Sequence, residues 1–257
     1  MNTLNDCWYM AGRHTMKFLR QPWYIGFALA QPIIYLCFFG QLFQRVASLP
    51  GFGGGSYVAF LTPGLVVMNA VFSAGWTGMG IIDDINRGIM DRFLISPCSR
   101  FALIGGRLLS LAISNLVQAA ILLGLGWLMG ARLQGGLQGV AVLVLSAALL
   151  SAPFAALSCA MGLILRQTES VIGAVNFVLW PLTFLSPVFL ATSLMPHWIQ
   201  MAAKLNPVGW SATAARTALT PNPDWGLIGA NLTLLVAFGA IAAWLATRAF
   251  GSYQRSL

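Results

Sequence analysis

Residues 80–100 read GIIDDINRGIMDRFLISPCSR, a charged stretch that lies between long apolar segments. The chain of 257 residues is 58% hydrophobic and only 8% charged, whereas a soluble domain usually carries about 25% charged residues. Its net charge of +8 comes from single basic residues scattered between apolar stretches. This composition predicts a membrane protein with several spans, and the absence of any Lys/Arg run argues against a nucleic-acid partner.

The quoted stretch predicts an amphipathic helix. At about 100° per residue, residues 82–93 group their apolar side chains on one face and their charges on the opposite face. The apolar face holds Ile82, Ile85, Ile89 and Phe93, and the charged face holds Asp83, Asp84, Arg87 and Asp91. Asp83–Arg87 and Arg87–Asp91 are i,i+4 pairs, and Pro97 is expected to end the helix. The pattern favours docking of a cytosolic partner, and a merely solvated surface helix is the alternative.

Six apolar segments are long enough to cross the hydrocarbon core as helices, each with about 20 residues. They are residues 23–43, 57–80, 101–130, 137–165, 170–190 and 225–248. The sequence therefore predicts an all-α membrane protein in which residues 1–257 form a single transmembrane domain.

Basic residues predict the orientation of these spans. With a cytosolic N-terminus, ten Lys and Arg residues lie on the cytosolic side and four, Arg45, Arg132, Lys204 and Arg216, on the external side. The positive-inside rule thus places the chain in the cytoplasmic (inner) membrane with both termini in the cytosol. Gly54 is expected outside and Arg87 inside.

Two flanking segments have their own patterns. Residues 1–22 predict an interfacial helix, since Arg13, Lys17 and Arg20 lie opposite an apolar face and can meet lipid headgroups. The proline-rich residues 187–224 contain LMPHWIQMAAKL and WSATAARTAL, which predict short external half-helices that re-enter the outer leaflet. A plain membrane anchor and a plain external loop are the respective alternatives.

The chain lacks the motifs of an enzyme. No HExxH or CxxC motif occurs, and no Ser/His pair lies within a predicted span. These absences disfavour an intramembrane protease, and no catalytic residue or metal ligand is predicted. Neither lysine lies in a GxxxxGK[ST] loop, so energy for active transport would come from another polypeptide.

The charged stretch follows a recognisable pattern, Asp84-x-x-Arg87-Gly88-x-x-Asp91-Arg92-Phe93-x-x-x-Pro97-x-x-Arg100, followed by Gly106-Arg107. It resembles the cytosolic signature of type-2 ATP-binding-cassette permeases, and within them the daunorubicin-resistance branch of drug-exporter membrane subunits. Three further segments agree with the resemblance. They are Arg20-Gln21-Pro22, Phe60-Leu61-Thr62-Pro63-Gly64 and Leu205-Asn206-Pro207.

The resemblance implies six spans per subunit and a dimer with a second permease copy or a close paralogue, in contact through the first and fifth spans. It also implies two cytosolic ATPase subunits, which would bind the ATP and Mg, and no cofactor in this chain. Residues 81–97 would form the coupling helix that fits a groove on the ATPase. The expected coupling residues are Asp83, Asp84, Arg87, Gly88, Asp91, Arg92, Pro97 and Arg100.

The implied function is export of a hydrophobic or amphipathic small molecule, such as a drug or antibiotic; the alternative is export of a lipid-linked glycan or polysaccharide. Polar and aromatic residues within the spans are candidates for the substrate path. They are Asn69, Ser73, Trp76, Asn115, Gln118, Asn176 and Trp180. Alternatively, these residues only hydrogen-bond between helices or face lipid. Helix kinks are expected at Pro63, Pro153, Pro181 or Pro187.

Overall fold

The computed structural model describes residues 22–48, 52, 56–88, 100–132 and 134–254, and within these ranges it contains helices and no β-strand. The α-helices are α1 (Pro22–Leu42), α2 (Tyr57–Gly75), α3 (Thr77–Asn86), α4 (Arg100–Leu128), α5 (Gly136–Leu165), α6 (Thr168–Phe184), α7 (His197–Leu205), α8 (Pro207–Ala218) and α9 (Trp225–Gln254). Short 3-10 helices occupy Gln44–Ser48 and Thr192–Leu194. The predicted interfacial helix at residues 1–22 lies outside the described ranges except for its last residue.

Four helical stretches are long and apolar enough to cross a membrane. They are Tyr57–Asn86, Gly106–Leu128, Gly136–Leu165 and Trp225–Ala246, which correspond to the predicted second, third, fourth and sixth spans. Helix α6 has only 17 residues, which is short for a hydrocarbon core of about 30 Å. The described apolar part of α1, Ala28–Leu42, is also short. The count of six spans therefore stays a prediction.

Helix α2 lies at the centre of the bundle, with Leu61, Leu65, Val67 and Val71 fully buried. Helix α5 is the main organising partner, because it contacts α2, α3, α4, α6, α8 and α9. The outward faces carry exposed large apolar side chains, including Trp127 on α4 and Ile241 on α9. Such side chains suit a surface that faces lipid.

Helices α2 and α3 are two parts of one nearly continuous helix that breaks at Trp76. Ser158 of α5 satisfies the backbone at the break, because its Oγ accepts a hydrogen bond from the Gly78 N–H at 3.0 Å and donates one to the Gly75 carbonyl. An unsatisfied backbone group in hydrocarbon costs several kcal/mol. The break is therefore tolerated because one hydroxyl serves both groups. By contrast, Pro63, Pro153 and Pro181, where kinks were expected, lie within helices that do not end there.

Helices α3 and α5 approach so closely that only glycine fits between them. A Cβ atom at Gly78 would lie 2.2 Å from the Ser158 carbonyl oxygen, and one at Gly162 would lie 2.6 Å from the Gly78 carbonyl oxygen. Ser158 and Gly162 are one helical turn apart on α5. They form the small-xxx-small pattern that allows close backbone contact in membranes.

The prediction of one unbroken helix over residues 82–93 is wrong, because α3 ends at Asn86, whereas the coupling role of residues 81–97 stays a prediction. Residues 82–93 therefore do not form one continuous amphipathic helix. The Gly88 N–H donates to the Ile85 carbonyl at 3.0 Å, and Gly88 has a φ of +64°, a left-handed conformation that ends helices and favours glycine. Residues 81–86 instead continue the second span, and residues 89–99 lie outside the described ranges.

The predicted external segment contains two short helices, α7 and α8, where the sequence predicted them. Asn206 joins the start of α8 to the end of α6. Its Oδ1 accepts a hydrogen bond from the Val208 N–H at 3.0 Å, and its Nδ2 donates to the carbonyls of Leu182 at 2.6 Å and Leu185 at 3.2 Å. The Leu205-Asn206-Pro207 motif thus has a structural role as a helix cap.

Arg216 on α8 holds together the backbone at this end of the molecule. Its Nε donates to the Phe60 carbonyl at 2.9 Å, its Nη2 to the Val188 carbonyl at 2.7 Å, and its Nη1 to the Pro187 carbonyl. The guanidinium carbon also lies 3.6 Å from the centroid of the Phe60 ring. The guanidinium stays protonated at neutral pH, as arginine side chains in proteins do. The depth of α7 and α8 in the membrane stays a prediction.

We expect Gly78→Ala to destabilise the protein strongly, because the added methyl group would overlap the backbone of α5. Overpacking of this kind typically costs about 1–3 kcal/mol or more. Gly124→Ala is the matched control, since a Cβ atom at Gly124 meets nothing within 4 Å. Thermal unfolding of the purified variants in detergent measures the difference. Equal stability of the two variants would contradict the close contact between α3 and α5.

Candidate functional site: a polar cavity beside the second helix

A cavity of about 620 Å³ lies between α1, α2, α3, α4 and α6. Six of the seven predicted substrate-path residues line it. They are Asn69, Ser73, Trp76, Gln118, Asn176 and Trp180. The structure therefore brings together residues that lie more than one hundred positions apart in the chain. The volume is within the range of about 300–1,000 Å³ that is usual for small-molecule pockets.

A small polar network occupies one side of this cavity. The Gln118 Oε1 atom accepts hydrogen bonds from the Asn69 Nδ2 and from the Ser73 hydroxyl, the latter at 3.3 Å. Asn69 and Gln118 are both buried. The network joins α2 to α4 and presents amide and hydroxyl groups to the cavity in an otherwise apolar bundle.

Aromatic rings form another part of the lining. The rings of Phe72 and Trp180 meet edge to face with centroids 5.1 Å apart, and Phe184 stacks on Trp180 at 5.7 Å. Phe72, Trp76 and Trp180 line the cavity, whereas Phe177 on α6 is 82% exposed on the outer surface. The site thus combines flat apolar surfaces with a few polar groups.

Asn115 departs from the prediction. It lines a separate, smaller cavity of about 210 Å³ whose other lining residues are apolar, and its amide atoms are buried without a hydrogen-bond partner. The physical reason is its position on α4, because it follows Ser114, which lines the larger cavity, and is rotated from it by about 100°. Asn115 is therefore not part of the same site.

A buried ion pair lies at the end of the cavity where α3 meets α4. The Arg107 Nη2 donates to the Asp84 Oδ2 and, at 3.1 Å, to the Gly80 carbonyl. The side chains of Arg107 and Asp84 are only 7% and 13% exposed. Asp84 was expected on a solvated face with Asp83 and Arg87, and this grouping is wrong because Arg107 holds its carboxylate inside the bundle. The sequence pattern contains both residues but did not predict their pairing.

The remaining expected coupling residues divide into three groups. Asp83 and Arg87 form an i,i+4 ion pair at 2.9 Å with side chains 54% and 61% exposed, and Gly88 follows them at the helix end. Arg100 begins α4, and its side chain is not described. Asp91, Arg92 and Pro97 lie outside the described ranges.

Comparison with known proteins identifies the class of this chain. Residues 5–220 match the family of ABC-2 type transporters, and the chain belongs to that family. It is 30% identical to the daunorubicin resistance ABC transporter permease protein DrrB1 of Streptomyces coeruleorubidus, over 94% of this chain and 82% of the relative.

Two further relatives are more distant. The inner membrane transport permease YadH of Escherichia coli is 25% identical over 84% of this chain and 82% of its own length. A putative transport permease, ycf38, of Cyanophora paradoxa is 23% identical over 83% of this chain and 73% of its own length. The resemblance to drug-exporter permeases is thereby confirmed.

Within the described ranges, no group of three or more His, Cys, Asp or Glu residues forms a potential metal site.

Proposed function

We propose that this chain is the membrane subunit of an ATP-driven exporter that moves a hydrophobic or amphipathic small molecule, such as a drug or antibiotic, out of the cell. The observation that carries the proposal is the cavity, which six separately predicted residues line together. The drug-resistance relative supports the same conclusion. The proposed substrate path runs along α2, between α4 and α6.

The lining of the cavity supports an amphipathic substrate. Trp76, Phe72 and Trp180 offer ring surfaces, while Asn69 and Gln118 offer amide groups. A planar molecule with a polar edge would contact both kinds of surface at once. A lipid-linked glycan would require a continuous wide channel lined by rings, and a cavity of about 620 Å³ favours the smaller substrate.

A dimer through α1 and α6 would complete the transport path. Both helices border the cavity through Ala28, Gln31, Asn176 and Trp180, and both expose large apolar side chains outward. These side chains include Ile34, Phe38 and Leu42 on α1, and Phe177, Val178 and Phe184 on α6. A second permease copy or a close paralogue against these faces would cover apolar surface and enclose two cavities between the subunits.

The energy source would be two cytosolic ATPase subunits, which bind ATP and Mg, because this chain has no Walker A loop. The exposed Asp83–Arg87 pair and Gly88 form the described part of the proposed docking segment. They lie at the end of α3, whereas Arg216 contacts Phe60 near the start of α2, at the opposite end of the same nearly continuous helix. We propose that the chain lies in the cytoplasmic (inner) membrane and that this end of α3 faces the cytosol. Both chain termini would then also be cytosolic, as the positive-inside rule predicts.

The cavity proposal predicts that Trp180→Ala and Gln118→Leu weaken transport. Removal of a buried ring surface or of the shared acceptor of the polar network should weaken the apparent affinity about tenfold. ATP-dependent accumulation of daunorubicin in inverted membrane vesicles, followed by its fluorescence, provides the measurement. Trp127→Ala is the matched control, because Trp127 is 69% exposed and does not line the cavity. Equal effects of Trp180→Ala and Trp127→Ala would count against the proposed path.

The docking proposal predicts that Arg87→Glu leaves the permease folded but reduces its binding to the ATPase. The Asp83–Arg87 pair is exposed, and such pairs contribute only about 0–1 kcal/mol to stability. Loss of a desolvated charge contact at an interface can cost about 2–5 kcal/mol. Co-purification of the ATPase and transport-coupled ATP hydrolysis are measured, with Arg132→Glu as the charge-matched control. Full ATPase binding and full export by Arg87→Glu would disprove the docking role.

The dimer proposal predicts disulfide crosslinks between two copies that carry cysteine in place of Phe38 and Phe177, in a background without native cysteines. Both positions are more than 70% exposed on the proposed interface helices. Ile241→Cys on α9 is the control, since it is also exposed but lies on a different face. Crosslinks that form through position 241 and not through positions 38 and 177 would place the interface elsewhere.

A further inference from the structure

The Arg107 side chain is buried but uses only part of its hydrogen-bonding capacity. One nitrogen, Nη2, makes both of its described hydrogen bonds, to Asp84 and to the Gly80 carbonyl. The Nε atom is buried without any partner. The Nη1 atom lies over Gly80, 3.2 Å from where a Cβ atom of that residue would be, and donates no hydrogen bond within the described part of the chain.

Unpaired donors on a buried guanidinium are unfavourable, and buried polar groups in folded proteins normally find partners. A guanidinium carries five N–H groups and stays protonated at physiological pH. The buried Nε–H group of Arg107 has no acceptor among the described helices, and the Nη1–H groups are free to donate to a molecule in the cavity. Asp83, the other carboxylate among the residues that line the cavity, pairs with Arg87 at 2.9 Å instead.

Arg107 also lines the same cavity as Gln118 and Trp180. It lies one helical turn from Ser110 and Leu111, which line the cavity as well, so the residue belongs to the cavity-facing side of α4. Its charge is offset by Asp84. The Asp83 carboxylate lines the same cavity, so the cavity presents hydrogen-bond donors without a net positive charge, a combination that suits an oxygen acceptor and does not require an anion.

We propose that Arg107 binds a hydrogen-bond-accepting oxygen of the transported molecule, and that Asp84 holds the guanidinium in place for this contact. The inference rests on the proposed function and narrows its substrate class to amphipathic molecules that combine an aromatic surface with at least one acceptor oxygen. The aromatic part contacts Trp76 and Trp180, and the oxygen contacts Arg107. Carbonyl and carboxylate oxygens can both accept a hydrogen bond from the guanidinium.

Three probes with one ring system test the proposal. Pyrene has no oxygen, 1-acetylpyrene has a neutral carbonyl oxygen, and 1-pyrenecarboxylate has a negatively charged carboxylate. Binding to the complete permease–ATPase complex in lipid nanodiscs is measured by energy transfer from tryptophan to pyrene, with empty nanodiscs as the blank. We expect both oxygen-bearing probes to bind the native complex at least about tenfold more tightly than pyrene, the effect of a hydrogen bond to a charged donor.

Arg107→Gln should remove this preference for oxygen and leave pyrene binding within about twofold. Because that variant leaves Asp84 unpaired and can misfold, the double variant Asp84→Asn/Arg107→Gln, which buries no charge, should give the same result. Asp84→Asn alone should reduce the preference for 1-acetylpyrene, since it frees the guanidinium to reorient. Arg132→Gln is the control for loss of an arginine, because Arg132 is exposed and does not line the cavity.

The outcomes separate this inference from the proposed function. Pyrene binding without any preference for oxygen, or a preference that survives in the double variant, would overturn the role of Arg107 while the cavity stands. Failure of all three probes to bind the native complex would overturn the cavity and the role of Arg107 together. If only 1-pyrenecarboxylate bound more tightly than pyrene, contact between Arg107 and a neutral acceptor oxygen would be disproved, and the cavity would instead bind an anion.

Discussion

Every backbone N–H and C=O group that is surrounded by hydrocarbon must find a partner within the protein, and this constraint explains the polar side chains that the bundle places at its irregular points. Ser158 bonds the backbone at the interruption at Trp76, Asn206 bonds the end of α6, and Arg216 bonds three carbonyls of α2 and of the segment that follows α6. These residues make non-helical backbone compatible with an otherwise apolar molecule. The cavity lies between the regions that they stabilise.

Features that depend on local composition were predictable from the sequence. The predicted spans at 101–130 and 137–165 agree closely with α4 and α5, because apolar length alone decides a helix in a membrane. The short helices α7 and α8 were predicted from prolines and apolar spacing. The end of α3 at Asn86 was missed because helical periodicity was extended through Gly88, whose positive φ ends the helix.

Features that depend on contacts between distant segments were only partly predictable. Six of the predicted polar and aromatic residues line one cavity, and they could be selected because few polar groups occur within the spans. Asn115 lies apart from them, since composition does not show which side of α4 faces the cavity. The Asp84–Arg107 pair was missed because its residues lie 23 positions apart on two helices. Helix breaks were expected at prolines, so the break at Trp76, where a serine of another helix satisfies the backbone, was missed.

The interruption at Trp76 divides the central helix into two parts with different neighbours. The first part, α2, is buried on nearly all sides and is fixed to α8 through Arg216. The second part, α3, packs closely against α5 at Gly78 and is joined near its end to α4 through Asp84 and Arg107. Helix α5 contacts both parts, so a displacement of α3 would reach α2 through α5 as well as through the interruption at Trp76, which lies beside the cavity.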